Sequence, residues 1–321
     1  MHMLEKLQIH YPIVQGGMGN ISDPRLVASV SEAGGLGTIG CGTMTTEEVL
    51  ERILETKRLT KKPFALNIPI AVNSQAKELV QLAIEKEIPI VSLSAGNPSP
   101  YLPLLRAKGI VVLVVVASVA HAKKQEELGA DILVAEGFEA AGINAPTELT
   151  TFTLLPQVVS AVQIPVIAAG GVGDGRGLAA AFMLGASGVQ MGTRFIATKD
   201  APYHASYKQK LLEASDTSTT IVGRKYGQVR RVLKGPYVEK LLLNENNLSL
   251  QGYQTSTSEK QHVLGAIEGD DQLGFVNSGQ VAGLLSDLPT VKQLIERMMS
   301  EAETQITNQL KVFKQLVDGQ S

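Results

Sequence analysis

The chain has 321 residues, 44% of them hydrophobic, with a formal net charge of −2 and no tryptophan. Near-neutral charge argues against a nucleic-acid or polybasic membrane binder, and the scarcity of aromatic rings argues against stacking on single strands. A single cysteine, Cys41, excludes an intramolecular disulfide framework and a cysteine-ligated zinc site.

The N-terminal stretch MHMLEKLQIHYPIV lacks the apolar core of a signal peptide, and the longest apolar run, at 110–117, is too short to span a bilayer. No membrane attachment and a cytoplasmic location are expected. Short apolar runs then alternate with amphipathic stretches as far as residue 214: PIVQGGM (12–18), LGTIGCG (36–42), FALNIPI (64–70), IPIVSLSAG (88–96), IVVLVVVA (110–117), ADILVAEG (130–137), IPVIAAGG (164–171) and SGVQMGTRF (187–195). Parallel strands buried on both faces require such near-continuous apolar runs. Helices are predicted between them. TTEEVLERILETKRL opens on Thr45 and Glu48 at capping-box spacing and repeats Val49/Leu50 as Ile53/Leu54 four residues on. NSQAKELVQLAIEKE and SVAHAKKQEELGA behave alike, the latter closing on Gly129. Eight strand–helix units in strict alternation predict a TIM-type (β/α)8 barrel over residues 1–214 rather than an open doubly wound sheet.

Beyond Ala214 the pattern breaks. Residues 215–287 are mixed and weakly periodic, and 288–317 read as one long helix with Val291, Leu294, Ile295 and Met298 on one face. Residues 215–321 are therefore expected to form a mixed and helical extension that packs over the barrel within the same structural domain.

Active sites of such barrels lie where the strands end. Those ends carry Gln15-Gly16-Gly17-Met18, Asn67, Ser94-Ala95-Gly96-Asn97, Glu136-Gly137, Ala169-Gly170-Gly171 and Gln190-Met191-Gly192-Thr193-Arg194. Glycine lets a phosphate approach the backbone, and a following helix N-terminus favours its charge. The glycines ending the seventh and eighth runs are thus the candidate phosphate site, the plainer reading being tight turns. For Asn67 the plainer reading is a cap on the next turn.

The segments YPIVQGGMG, SEAGGLGTIG, KPFALNI, SAGNPS, VAEGFEAAG, IPVIAAGGVGDGRGLAAAFMLGASGVQMGTRF and NSGQVAGL occur in this order across most of the chain. In them the chain resembles the nitronate monooxygenase (2-nitropropane dioxygenase) family and its relative, the FMN-dependent enoyl-acyl-carrier-protein reductase II. The resemblance implies bound FMN. It places the backbone of Gly17 and Met18 against the isoalloxazine, Asn67 on its polar edge, and Glu136 where relatives carry Gln or Glu. It places Gly170, Gly171, Gly192 and Thr193 at the phosphate, Gln190 and Met191 close by, and Ser278, Gly279 and Gln280 folded back near the flavin. Relatives carry Gly-Gly-His after the sixth strand, whose histidine serves as base or positions substrate. This chain reads Glu139-Ala140-Ala141-Gly142-Ile143-Asn144, so Ile143 stands in the histidine's place and the catalytic residue is unassigned. Isoleucine accepts no proton. Asn144 reads either as a hydrogen-bond donor to substrate or as a loop residue.

Of the five histidines, His2 and His10 are expected at the surface, His121 and His204 in structural or solvated roles, and His262 lies in the unassigned tail. No histidine pair has metal-ligand spacing and no H-E-x-x-H occurs, so no metal is expected. Arg224, Lys225, Arg230, Arg231 and Lys234 read first as a solvated face, and second as a dock for a nicotinamide pyrophosphate or an acidic carrier. Met18, Met44 and Met191 either line an apolar pocket or fill the core. The function expected is an FMN-dependent oxidoreductase of the nitronate monooxygenase type with a small-molecule substrate. The alternatives are NAD(P)H-dependent reduction of an enoyl thioester or quinone, and a flavin-binding protein without catalysis. A purine-nucleotide dehydrogenase is rejected, because it needs a cysteine after the sixth strand and Cys41 follows the second. Whether the chain forms a homodimer is left open.

Overall fold

Each of the eight apolar runs forms a strand. In the computed structural model, which describes residues 3–318, they are β1 (Ile13–Gln15), β2 (Gly37–Gly40), β3 (Phe64–Pro69), β4 (Ile90–Ser94), β5 (Val111–Val116) and β6 (Ile132–Glu136). A two-residue strand, β7 (Gly142–Ile143), intervenes before the last two, β8 (Val166–Ala169) and β9 (Gly188–Met191). The eight pair in parallel in the order β1-β9-β8-β6-β5-β4-β3-β2, and a parallel bridge between Val14 and Leu36 brings β2 back against β1. The result is a nearly closed TIM barrel with helices between its strands.

Side chains alternate along each strand. Val14, Ala65, Ile90, Leu113, Ile132 and Ile167 form one buried cluster with Met3 and Leu7 of the N-terminal helix. Their neighbours Ile13, Leu66, Val91, Val112, Leu133 and Ala168 belong to a second cluster shared with the surrounding helices. This alternation fills a barrel's interior and mantle at once. The helix Met3–Leu7 is pinned to the start of β6 by Lys6 and Asp131, 3.2 Å apart.

Local signals hold where they were read. Thr45 Oγ1 accepts from the Glu48 amide at 3.3 Å, and Glu48 Oε2 accepts from the Thr45 amide at 2.7 Å, closing the capping box of the helix Thr46–Leu59. Gly129 follows the helix Val119–Glu127 with φ +91°, a left-handed stop.

The weakly periodic stretch holds a small antiparallel sheet. Strands β10 (Thr219–Val222) and β11 (Arg230–Leu233) pair with each other, and β11 also pairs with β7, matching Arg230 to Ile143 and Arg231 to Gly142. The extension is thereby stitched to the loop after β6. Here the solvated reading of the basic run is corrected. Arg224, Lys225 and Lys234 are exposed, but Arg230 and Arg231 are buried. The reason is that β11 is the central strand of its sheet and is covered on both faces. Arg231 lies over the Phe138 ring at 4.9 Å and donates to Phe138 O at 3.0 Å, while Arg230 lies over Phe275 at 5.4 Å.

The terminal helix runs Val291–Asp318 and buries Val291, Leu294, Ile295 and Met298, the face predicted for it. It packs on the helix Gly175–Met183, so closely that a methyl on Gly175 would stand 2.7 Å from Met298 O. Among the described residues no helix is long and apolar enough to cross a membrane.

Candidate active site

A cavity of about 410 Å³ opens at the C-terminal ends of the barrel strands, within the ~300–1,000 Å³ typical of small-molecule and cofactor sites. Ten of the residues expected to hold a cofactor line it: Gly17, Met18, Asn67, Glu136, Gly170, Gly171, Gln190, Met191, Gly192 and Thr193. Of the late segment, Gly279 lines the cavity, whereas Ser278 is wholly buried behind it and Gln280 is exposed.

The loop after β1 passes tightly over β3. A methyl on Gly17 would stand 2.7 Å from Asn67 Cβ, so glycine is required for this approach. The Asn67 amide donates toward Ser94 Oγ at 3.1 Å and Ser92 O at 3.3 Å, which fixes its plane. Ser22 Oγ takes the Met18 amide at 3.2 Å and the Gly40 amide at 2.8 Å.

On the opposite side, Gly170 and Gly171 are both left-handed, with φ +93° and +76°. Gly192 precedes the helical turn Thr193–Ile196, and a methyl there would meet nothing within 4 Å. These glycines form a backbone cradle that is open at Gly192, whereas a methyl on Gly170 would stand 2.9 Å from Gly137 O. Thr193 Oγ1 accepts from the Gly279 amide at 3.0 Å, and Glu139 O accepts from the Gln280 amide at 3.0 Å. The late segment is thus tied across the ends of β6 and β9. The Glu139 carboxylate in turn holds the Thr151 amide at 2.9 and 3.0 Å, bracing the loop after β6.

Glu136 ends β6 at the cavity wall, and burial pushes its carboxyl up to about 7. It is therefore about half protonated at pH 7, and in that form it can donate a hydrogen bond. Ile143 stands at the cavity rim, 46% exposed, with nothing to give or take a proton. Asn144 lines the cavity but donates its amide hydrogens to Ala140 O and Gly142 O, both at 3.0 Å, so in this structure they serve the loop.

The histidines divide clearly. His10 is exposed and His204 caps the helix Ala205–Leu212, accepting from the Ser206 amide at 3.2 Å. His2 lies outside the described residues. His121 reaches the cavity wall, where burial, and after it Lys124, pulls its ring below the ordinary histidine value. Met44 is core, while Met18 and Met191 line the cavity. Cys41 is buried in the core, which pushes its thiol up.

The extension, together with Tyr207 of the helix Ala205–Leu212, contributes a second polar group that local sequence patterns do not assemble. Tyr207, Arg230, Glu259, His262 and Asn277 all line the cavity. Asn277 is their hub: its carbonyl accepts from the Tyr207 hydroxyl, its Oδ1 accepts from Arg230 at 3.3 Å, and its Nδ2 lies 3.3 Å from the His262 ring nitrogens. Glu259 Oε2 accepts from the Asn20 amide at 3.1 Å and lies 3.7 Å from His262 Nδ1, with Oε1 3.9 Å from Arg230. Burial alone would raise the Glu259 carboxyl, but His262, Arg230 and the Asn20 amide together hold it at about 2. One signal was available: an arginine pair inside the apolar run VRRVL marks a strand whose charges need partners.

Among the described residues no group of three or more His, Cys, Asp or Glu side chains is placed to hold a metal ion. The family model for nitronate monooxygenase matches residues 1–301. The (3aS,4S,5R,7aS)-5-hydroxy-7a-methyl-1-oxo-octahydro-1H-indene-4-carboxyl-CoA dehydrogenase of Rhodococcus jostii is 36% identical, over 94% of this chain and 95% of that protein. A probable nitronate monooxygenase of Staphylococcus haemolyticus is 30% identical, over 95% of this chain and 98% of its own length. The solved structure of FabK from Thermotoga maritima superposes with a TM-score of 0.90 at 41% identity, covering 97% of this chain and 98% of that one.

Proposed function

The chain belongs to the nitronate monooxygenase family of FMN-dependent oxidoreductases, and from that premise we propose that its cavity binds FMN and serves an acyl-thioester substrate, with a reduced nicotinamide as electron donor. The observation that carries the substrate class is the relative at 36% identity over 94% of this chain, which is named for a CoA thioester. The loop after β6 presents apolar Ile143 to the cavity and spends the Asn144 amide hydrogens on itself.

The residues present fit FMN. Gly170, Gly171, Gly192 and Thr193 line the cavity at the start of a helical turn, with open space at Gly192, and would hold the phosphate, and Gly17 and Met18 offer backbone close to Asn67. Glu136, in its protonated form, would offer a hydrogen bond to an acceptor of the ring. When bound, FMN supplies two-electron transfer between donor and substrate. The protein's part is to orient both and to hold water away from them.

The test is the visible spectrum of the purified protein, followed by anaerobic titration with NADH and NADPH and then addition of crotonyl-CoA. A yellow protein bleached by nicotinamide and reoxidised by crotonyl-CoA without oxygen is expected. Turnover of propionate 3-nitronate with oxygen, and none of the thioester, would return the substrate to the nitronates. A colourless protein that FMN does not reconstitute would remove the cofactor claim.

A further inference from the structure

The loop after β6 presents Ile143 to the cavity and commits its one lining carboxylate, Glu139, to Thr151, whereas a histidine reaches the cavity from the C-terminal extension. His262 is only 3% exposed and still lines the cavity wall. Its ring stacks on Phe275, centroids 5.6 Å apart and planes 14° from parallel. Glu259, one turn earlier, stands 3.7 Å from Nδ1, and Asn277 stands 3.3 Å from the ring nitrogens. The ring is therefore fixed in orientation and backed by a carboxylate, the arrangement that prepares an imidazole for acid–base work. Pairing of β11 with β7 sets Arg230 of this same cluster opposite Ile143, so the wall that carries His262 adjoins the vacated position.

We infer that His262 is the proton-transfer group of this site, supplied by the C-terminal extension in place of a residue on the loop after β6, with Glu259 and Asn277 as its positioning residues. The inference rests on the thioester reading above. In the reduction of an α,β-unsaturated thioester two hydrogens are added across the double bond. Bound FMN would supply the hydride equivalent, with both electrons, that the β carbon receives. His262 gives the α carbon its proton and recovers one from solvent, so charge and atoms balance. The ionisable groups around the ring are Glu259 on its own helix, Arg230 on β11 and, through Asn277, Tyr207. Arg230 is held by Asn277 and shares Glu259 with the histidine, and it offers the thioester oxygen a donor as negative charge develops there.

The experiment uses the FMN holoenzyme and its His262→Gln, His262→Asn and Glu259→Gln variants. Three readouts are needed: anaerobic flavin reduction by NADH, steady-state reduction of crotonyl-CoA across pH, and exchange of the α hydrogens of butyryl-CoA in D2O followed by NMR. Both His262 variants should keep the flavin spectrum and its reduction by NADH. They should lower kcat for crotonyl-CoA about 100-fold or more with KM little changed, flatten one limb of the pH profile, and abolish α-hydrogen exchange. Glu259→Gln should lower kcat about tenfold and displace the same limb. Wild-type kcat, pH profile and exchange in folded, flavin-loaded His262 variants would overturn the inference while leaving the thioester reading intact. A wild-type enzyme inert toward crotonyl-CoA would overturn both. If the glutamine variant loses its flavin, the asparagine variant and the exchange measurement decide.

Discussion

Glu136 illustrates what a single buried carboxyl does at this site. Its folded value of about 7 lies above the ordinary 4.5 because burial disfavours the charged form. The folded state therefore holds the proton more tightly than the unfolded chain, and stability is lost as pH rises from about 4.5 to about 7, then levels off. Replacing it by its neutral isostere removes that cost. In flavin-free protein Glu136→Gln should be more stable than wild type by about 3 kcal/mol at pH 8 and by about 1 kcal/mol at pH 5, measured by urea unfolding. A gap that does not change with pH would contradict the assignment. Gly192 and Gly17 make a matched pair. At Gly192 a methyl meets nothing and φ is −113°, so Gly192→Ala should leave the flavin-free melting temperature unchanged while weakening FMN at least about tenfold in a fluorescence titration. At Gly17 the methyl strikes Asn67, so Gly17→Ala should lower both. The glycines and Ile143 could be read from the sequence, since a strand end followed by glycine is a local pattern. His262 could not, because nothing near it in the chain identifies the cavity it faces.

At the scale of elements, local chemistry and tertiary contact contribute separately. The capping box at Thr45 is complete within four residues and was legible as a string. Thr45→Ala should cost about 1 kcal/mol in chemical denaturation and leave turnover unchanged, since the helix Thr46–Leu59 contributes no residue to the cavity wall. Strand β7 is the opposite case. Two residues carry no periodicity, and they become a strand only because β11 supplies their partners. The arginine pair in β11 was misread for a related reason. Charge in a run is usually solvated, but Phe138 and Phe275 cover both faces of this strand and Asn277 and Phe138 O take up its donors.

In the whole molecule the terminal helix does two different things along its length. Up to Ala302 it is packed against the helix Gly175–Met183, with Glu301 accepting from the Gly175 amide at 3.0 Å. Beyond it, Ile306, Leu310, Phe313 and Leu316 are all exposed. Ending the chain after Ala302 should leave the melting temperature and FMN content unchanged, whereas Met298→Ala, which opens the packed part, should cost about 2–5 kcal/mol. A large loss from the truncation would mean that the exposed length is needed for folding. By itself the sequence determined the barrel, its eight strand ends and the glycine cradle, because parallel strands, helix caps and backbone turns each obey rules that act within a few residues. Only the tertiary structure decided that Arg230, Glu259, His262 and Asn277 line the same cavity as that cradle. Their positions follow from β11 pairing with β7 and from the Asn20 amide meeting Glu259, contacts between distant parts of the chain that leave no local pattern.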